Sequence, residues 1–358
     1  MAMLALSKMS CHLFRCLLLG AVAWCLQPTS VPAEEGGANT AVTPSVQPGN
    51  GEFIRYDDSD PENSKLQTSV VRYVRGDQIV DLVGAVHLAD PGYFDSLNAQ
   101  LAQYDVVLYE MVGGEFATRD ERSAEVDPEI AQVQMVHGLI HRVLGMEYQT
   151  EGIDYDQPNF IHADVNWEQY GALMTARDQS LATLFQRALA MAQSGEGPAI
   201  LRDEAVADQT MKGLMAGLTT GNTAKLKRAL APFLGEAESF ITGIEGEDGT
   251  VIVTERNKVV MGILDREMKR GHRNIAIFYG AGHFVDLEKR LLASGFQQQT
   301  GVWLTAWDIS EAAPGQGVNL WQEIFSDPEL MQGIMSSVQE MLRGLQEGGV
   351  LEPATPGQ

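Results

Sequence analysis

Two segments of the chain end a hydrophobic run in glycine, small residues and a histidine. Gly84-Ala85-Val86-His87 follows the stretch "IVDLV" (79–83), and Gly280-Ala281-Gly282-His283 follows "IAIFY" (275–279). Between them, "VVLYEMV" (106–112) carries Glu110 near the C-terminal end of an apolar stretch. A buried carboxylate is costly unless it is paired or bound to a cation. Two imidazoles and a carboxylate at three strand ends make a donor set for a divalent metal with positions left open for water, suited to zinc, iron or manganese. Each residue alone has an ordinary reading: a hydrogen-bonded core histidine, or a salt-bridged glutamate. The three together, at strand ends that feed helices, have the composition of a site. The small residues before each histidine are expected to let the chain turn sharply and let a ligand approach the backbone.

A fourth member comes from "TVIVTERNKVVMGILDREMKRG" (250–271). At about 100° per residue, Ile252, Val259, Val260 and Ile263 share one face, and Arg256 lies in its middle. An arginine cannot discard its charge, so it needs an anion: Glu110, or the oxyanion of a bound substrate. The other reading is a stem along the core with its head in water. Asn257, at the edge of the face, is either a second polar contact or solvated. His137 and His141 are spaced i, i+4, but the residues between them are Gly-Leu-Ile, so the glutamate of a zinc-protease helix is absent. Met331, Met335 and Met341 belong to an amphipathic pattern that reads as a docking or core helix.

The elements that must position these residues alternate between the two periods. "SVVRYVR" (69–75) and "QIVDLVGAV" (78–86) flank Gly76-Asp77, a hairpin signal. Asp90 and Pro91 read as a cap and first helical residue before Phe94, Leu97 and Leu101. "YDVVLYEMV" (104–112), "NIAIFYGA" (274–281) and "GVWLTAWDI" (301–309) are further strands, the second followed by a helix opening with Phe284, Leu287 and Leu291. Residues 128–146 read as one helix, 153–165 as a proline-containing connection with room for a short strand, and 250–270 as a helix ending at Gly271. The expected fold is α/β: a mixed central sheet flanked by helices, with a large all-helical insertion (about 166–245) between the glutamate-bearing strand and the second histidine strand.

Residues 1–33 resemble a secretory signal: Lys8 and Arg15, the apolar run "CLLLGAVAWCL" (16–26), and Val31-Pro32-Ala33 at the cleavage position. Bulky Trp24 argues against Cys25 as a lipid anchor. All three cysteines (Cys11, Cys16, Cys25) lie in this segment, so the processed chain would have no disulfide and no thiolate ligand. No later run is long enough to span a bilayer. Net charge is −23; losing two basic residues and no acidic one with the signal takes it to −25, which disfavours nucleic acid and anionic membranes as partners. The expected order is a signal (1–33), a disordered leader (34–66), the α/β domain (67–310), a helical extension (311–346) and a disordered tail (347–358).

"GAVH" (84–87), Glu110 in "LYEM" (108–111), "ERN" (255–257) and "GAGHF" (280–284), in this order, resemble the TraB/GumN family, which includes the Tiki proteases and is distantly similar to the erythromycin-esterase and ChaN-like folds. The resemblance spans roughly residues 68–310. It implies an α/β core grouping His87, His283, Glu110 and Arg256, with Asn257 beside them, and, on the Tiki branch, metal-dependent peptidase activity. The first motif departs from many members in having Ala85 in place of threonine, which removes a hydroxyl near a ligand. The expectation is therefore an exported metal-dependent hydrolase, a peptidase by resemblance, acting on a peptide or small-molecule substrate. His87, Glu110 and His283 would hold Mn, Co or Zn, and Arg256 would stabilise an oxyanion or fix a substrate carboxylate. Alternatively, Glu110 is the general base and Asp154 or Asp164 completes the ligand set. The competing expectation is a non-catalytic protein that sequesters a peptide or haem-like ligand in the same cleft.

Overall fold

A computed structural model describes residues 51–113, 144–195, 198–246 and 248–310. The signal, residues 128–143 of the helix expected at 128–146 with His137 and His141, and the C-terminal helix with its methionines and tail lie outside the described residues. No described helix is long and apolar enough to cross a membrane.

Strands β2 (Lys65–Arg75) and β3 (Gln78–Ala85) form the expected antiparallel hairpin. It turns at Gly76, whose φ of 62° is in the left-handed region that a Cβ disfavours. The sheet then continues in parallel. β3 pairs with β8 (Asn274–Gly280), β8 with β5 (Val106–Tyr109), and β5 with β7 (Phe160–His162). On the other side of the hairpin, β9 (Gln297–Asp308) and the short β1 (Ile54–Asp57) run antiparallel to β2. A mixed sheet flanked by helices is thus the architecture. β8 reads "NIAIFYG" with no polar alternation because it sits between parallel neighbours, and its interior residues Ile275–Tyr279 are fully buried.

The flanking helices bury the residues that their spacing marks. Helix α1 (Pro91–Leu101) inserts Tyr93, Phe94, Leu97 and Leu101. A second pair of elements, β6 (Glu147–Tyr148) and the one-turn α2 (Gln149–Gly152), precedes β7; β6 bridges to β4 (Leu88–Ala89) just beyond His87. The insertion comprises α3 (Trp167–Ala176), α4 (Leu181–Gln193), α5 (Ala199–Arg202), α6 (Glu204–Thr220), α7 (Thr223–Gly235) and α8 (Ala237–Glu245). A single π-helical turn (Val251–Glu255) then leads into α9 (Arg256–Arg270), and α10 (Phe284–Ala293) follows β8.

Two expectations need correction. Order begins before residue 67: β1 lies inside the expected leader, and Phe53 just ahead of it is 1% exposed, its ring edge-on to Phe284 at 5.4 Å. The polar, acidic stretch at 57–63 hid this short strand, which is held by one buried aromatic and by pairing to β2. Asp90 stands at the N-cap position ahead of Pro91, as expected, but its side chain makes no capping bond. Its carboxylate accepts from Lys227 Nζ of α7 at 2.5 Å and from the Asp308 amide at 2.7 Å, leaving the helix start to Pro91. This ion pair ties the insertion to the segment that follows His87.

If Phe53 closes the core, Phe53→Ala removes a fully buried ring and is expected to cost about 3–5 kcal/mol in urea unfolding. An unchanged midpoint would show that the chain before residue 65 is not part of the folded unit.

Candidate functional site

The parallel order β3–β8–β5–β7 brings four strand ends to one rim. Register pairs Ala85 with Gly280, Tyr109 with Phe278, and Tyr109 with His162. His87 therefore follows one strand, His283 its neighbour, and Glu110 the next. Asp164 follows the fourth, two residues past β7. Glu110 leaves β5 with its amide still donating to the Phe278 carbonyl at 3.2 Å, and the Gly280 amide donates back to Glu110 Oε2 at 2.7 Å.

Arg256 occupies the centre. Its Nη2 donates to Glu110 Oε1 at 2.5 Å and to Asp164 Oδ2 at 2.6 Å, and its Nε to Asp164 Oδ1 at 2.9 Å. Its Nη1 reaches the Ile252 carbonyl at 3.2 Å and His283 Nε2 at 3.5 Å. All five guanidinium N–H bonds thus have an acceptor, and the residue is 4% exposed. Of the partners foreseen, Glu110 is correct; Asp164, considered only as a metal ligand, is the second. Each of its nitrogens is thus directed at a protein group. Asp164 is equally committed, since it also accepts from the amides of Met111 (3.1 Å) and Val165 (2.7 Å). Asp154 holds the Asp156 amide and Gln157 at an exposed turn. Both aspartates are thus engaged in protein hydrogen bonds.

Asn257 is fully buried rather than solvated. The π turn before α9, closed by the Glu255 amide on the Thr250 carbonyl at 3.2 Å, is wider than an α turn. The first two residues of α9, Arg256 and Asn257, are both buried. Asn257 Nδ2 donates to the His283 carbonyl at 3.0 Å and to Asp286 at 2.8 Å, so its Oδ1, 2.7 Å from His283 Nδ1, is the acceptor there. Nδ1 therefore carries a proton, and Nε2 lies 3.4 Å from Glu110 Oε1. The Tyr279 ring stands edge-on to the imidazole at 5.2 Å, anchored by its hydroxyl donating to the Ala163 carbonyl at 2.6 Å. Glu255, the first residue of "ERN", turns away to Arg177 and Lys258.

His87 sits at the solvent-facing lip of this rim. Its ring keeps an accessible face but is otherwise set among protein atoms. That burial pushes its pKa below 6.5, Glu110 pulls it back up and Arg256 pushes it down, so it is in electrostatic contact with the cluster. The Gln149 amide donates to the His87 carbonyl at 2.9 Å, and Gln149 Oε1 beside the ring is buried without a close partner.

Burial alone would raise the Glu110 carboxyl. Arg256, and then His283, instead hold it well below its ordinary 4.5. Burial works against the Arg256 cation, but Glu110 and Asp164 hold it protonated. Two carboxylates face one guanidinium at the centre of this buried pocket.

The glycines act differently from expectation. Gly280 has a φ of −53°, and none of Gly84, Gly280 and Gly282 is left-handed. Their small size is used for close approach. A Cβ on Gly280 would lie 3.3 Å from Glu110 Oε2, one on Gly84 3.0 Å from the Ser69 carbonyl, and one on Gly282 would collide with Ile241 of α8.

Among the described residues, no three His, Cys, Asp or Glu side chains are grouped closely enough to hold a metal ion as they stand. Two donors do fit. Bonds of about 2.1 Å at tetrahedral angles place neighbouring ligand atoms about 3.4 Å apart, which is the separation of Glu110 Oε1 and His283 Nε2. The Asn257 bond fixes the tautomer that ligation needs, and the unpartnered Gln149 oxygen could do the same for His87.

Removing the cation should expose the logic of the cluster. Arg256→Met strands two carboxylates and is expected to cost about 3–5 kcal/mol at neutral pH, with Asp164→Asn in the same chain recovering part of the loss. Because the Glu110 pKa is lowered on folding, its ion pair contributes stability above the unfolded value near 4.5 and loses it as pH falls toward the folded value. The penalty of Arg256→Met, measured by urea unfolding, should therefore shrink on acidification; a penalty independent of pH contradicts the assignment.

No protein-family model, no curated protein and no solved structure matches this chain.

Proposed function

We propose that the chain is a metal-dependent hydrolase, a peptidase in the manner of the TraB/GumN resemblance, working at the rim formed by β3, β8 and β5. The observation that carries this reading is the Glu110 Oε1 to His283 Nε2 edge of 3.4 Å, with each group held from behind. His87, Glu110 and His283 would hold a divalent ion, of which Mn, Co and Zn are the candidates. The chemistry that such an ion supplies is a lowering of the pKa of water toward neutrality.

The chain's own residues have separable tasks. Glu110 stays ionised across the neutral range, and a carboxylate with so low a pKa is a weak base. It serves as a ligand rather than as the proton acceptor. Arg256 and Asp164 fix the position of the Glu110 carboxylate, and Asn257 fixes the face and tautomer of His283. His87, with an open face and a pKa below 6.5, is neutral at pH 7 and can coordinate or accept a proton. Two carboxylates against one guanidinium favour a cation over an anionic ligand. Export before folding, as the N-terminal segment suggests, belongs to the same proposal.

Incubating the purified chain with a peptide library, with and without Mn, Co and Zn, tests this reading by mass spectrometry. Cleavage should require metal. His283→Ala and Glu110→Gln should lower it by about 100-fold or more, and Asn257→Ala by about 10–100-fold through misorientation of its histidine. His87→Ala and His283→Ala should each lower the metal content of the protein. Equal metal content in all variants, or retention of peptides without cleavage, would contradict the hydrolase and favour the sequestering reading.

A further inference from the structure

The helical insertion holds a pocket of about 340 Å³, lined mainly by α6 and α7, partly open to solvent and sharing no residue with the carboxylate–guanidinium cluster. Its size falls in the lower part of the range of small-ligand pockets, roughly 300–1,000 Å³. Val206, Pro232 and Phe233 give it apolar walls, and Phe233 is 6% exposed. Its charged groups are Lys225, Arg228 and Glu236.

These charges are not paired with one another. Glu236 Oε2 accepts the Ala199 amide at 2.8 Å, at the start of α5. Arg228 Nη2 donates only to neutral oxygens, the Pro61 and Ile309 carbonyls at 3.0 and 3.1 Å, and its Nε is buried with no partner. Lys225 is exposed. Among the described residues, neither cation forms an ion pair with a carboxylate. The chain has 48 acidic residues against 25 basic ones, so two unpaired cations on one cavity run against its composition. A buried donor without an acceptor is a cost that an anion would remove.

We propose that this cavity binds a small amphiphilic monoanion, a carboxylate bearing a short apolar chain. Two cations against one carboxylate leave a single positive charge, which matches one negative head and not a doubly charged phosphate. The head lies at Lys225 and Arg228, and the chain lies along Val206, Pro232 and Phe233, where its burial is favourable.

Calorimetric titration of the full chain with octanoate tests this, with octanol and octylamine as neutral and cationic controls. Octanoate is expected to saturate one site with a Kd of about 1 mM or tighter, and the controls to bind at least about tenfold more weakly. Lys225→Glu, at an exposed position, should weaken octanoate about tenfold. Ala229→Phe should abolish binding by filling the cavity without changing its charge. Thermal melting of both variants, read without ligand, establishes that they fold. Equal binding of octanol or octylamine, an unaltered affinity in folded Lys225→Glu, or no saturable heat with the parent protein would overturn the proposal.

Discussion

A guanidinium held between two buried carboxylates is the constraint around which the rim is organised. Arg256 cannot lose its charge and has no water to stabilise it, so the fold must supply anions from two directions. It does so by ending β5 at Glu110 and continuing past β7 to Asp164, on paired parallel strands. Once those carboxylates are fixed, the position of α9 follows, and Asn257, next in sequence, meets the imidazole of the third strand end. One ion-paired cluster thus sets the places of four strand ends and one helix.

What this arrangement leaves unused is what gives it chemical interest. Every Arg256 donor is engaged, both Asp164 oxygens are engaged, and Asn257 is engaged at both ends. Apart from its long 3.5 Å contact with Arg256 Nη1, the His283 Nε2 edge remains open, as does the face of His87. Groups held from behind and left open in front are preorganised, so little reorganisation is needed when a ligand arrives. The insertion helps to hold them. Ile241 of α8 packs on Gly282, while Leu184 of α4 joins Ile252 and Val253 of the π turn in a separate apolar cluster.

Much of this was legible in the sequence. The hairpin at Gly76, the parallel strands around each histidine and the burial of Arg256 follow from hydrophobic period and strand-to-helix order, which are local signals. Asp164 was harder to place, because its role depends on β7 pairing with β5, and three residues of strand next to Pro158 give almost no periodic signal. Asn257 was left between a polar contact and a solvated position, because an ideal wheel takes no account of the π turn. The glycines were assigned to turning and to close approach by a ligand, whereas it is their neighbours across the sheet and in α8 that come close. The start of order was missed because β1 depends on Phe53 and on pairing to β2, both non-local. In each case the missing information was a contact distant in sequence.

The central claim is that Glu110 Oε1 and His283 Nε2 are two neighbouring corners of one metal site. Anomalous X-ray diffraction from crystals of the protein soaked with Mn addresses it directly. The predicted result is a peak about 2.1 Å from both atoms, with His87 turned in to a third position and Arg256 still between its carboxylates. A peak elsewhere on the molecule, or crystals that take up manganese without one between these two side chains, would contradict it.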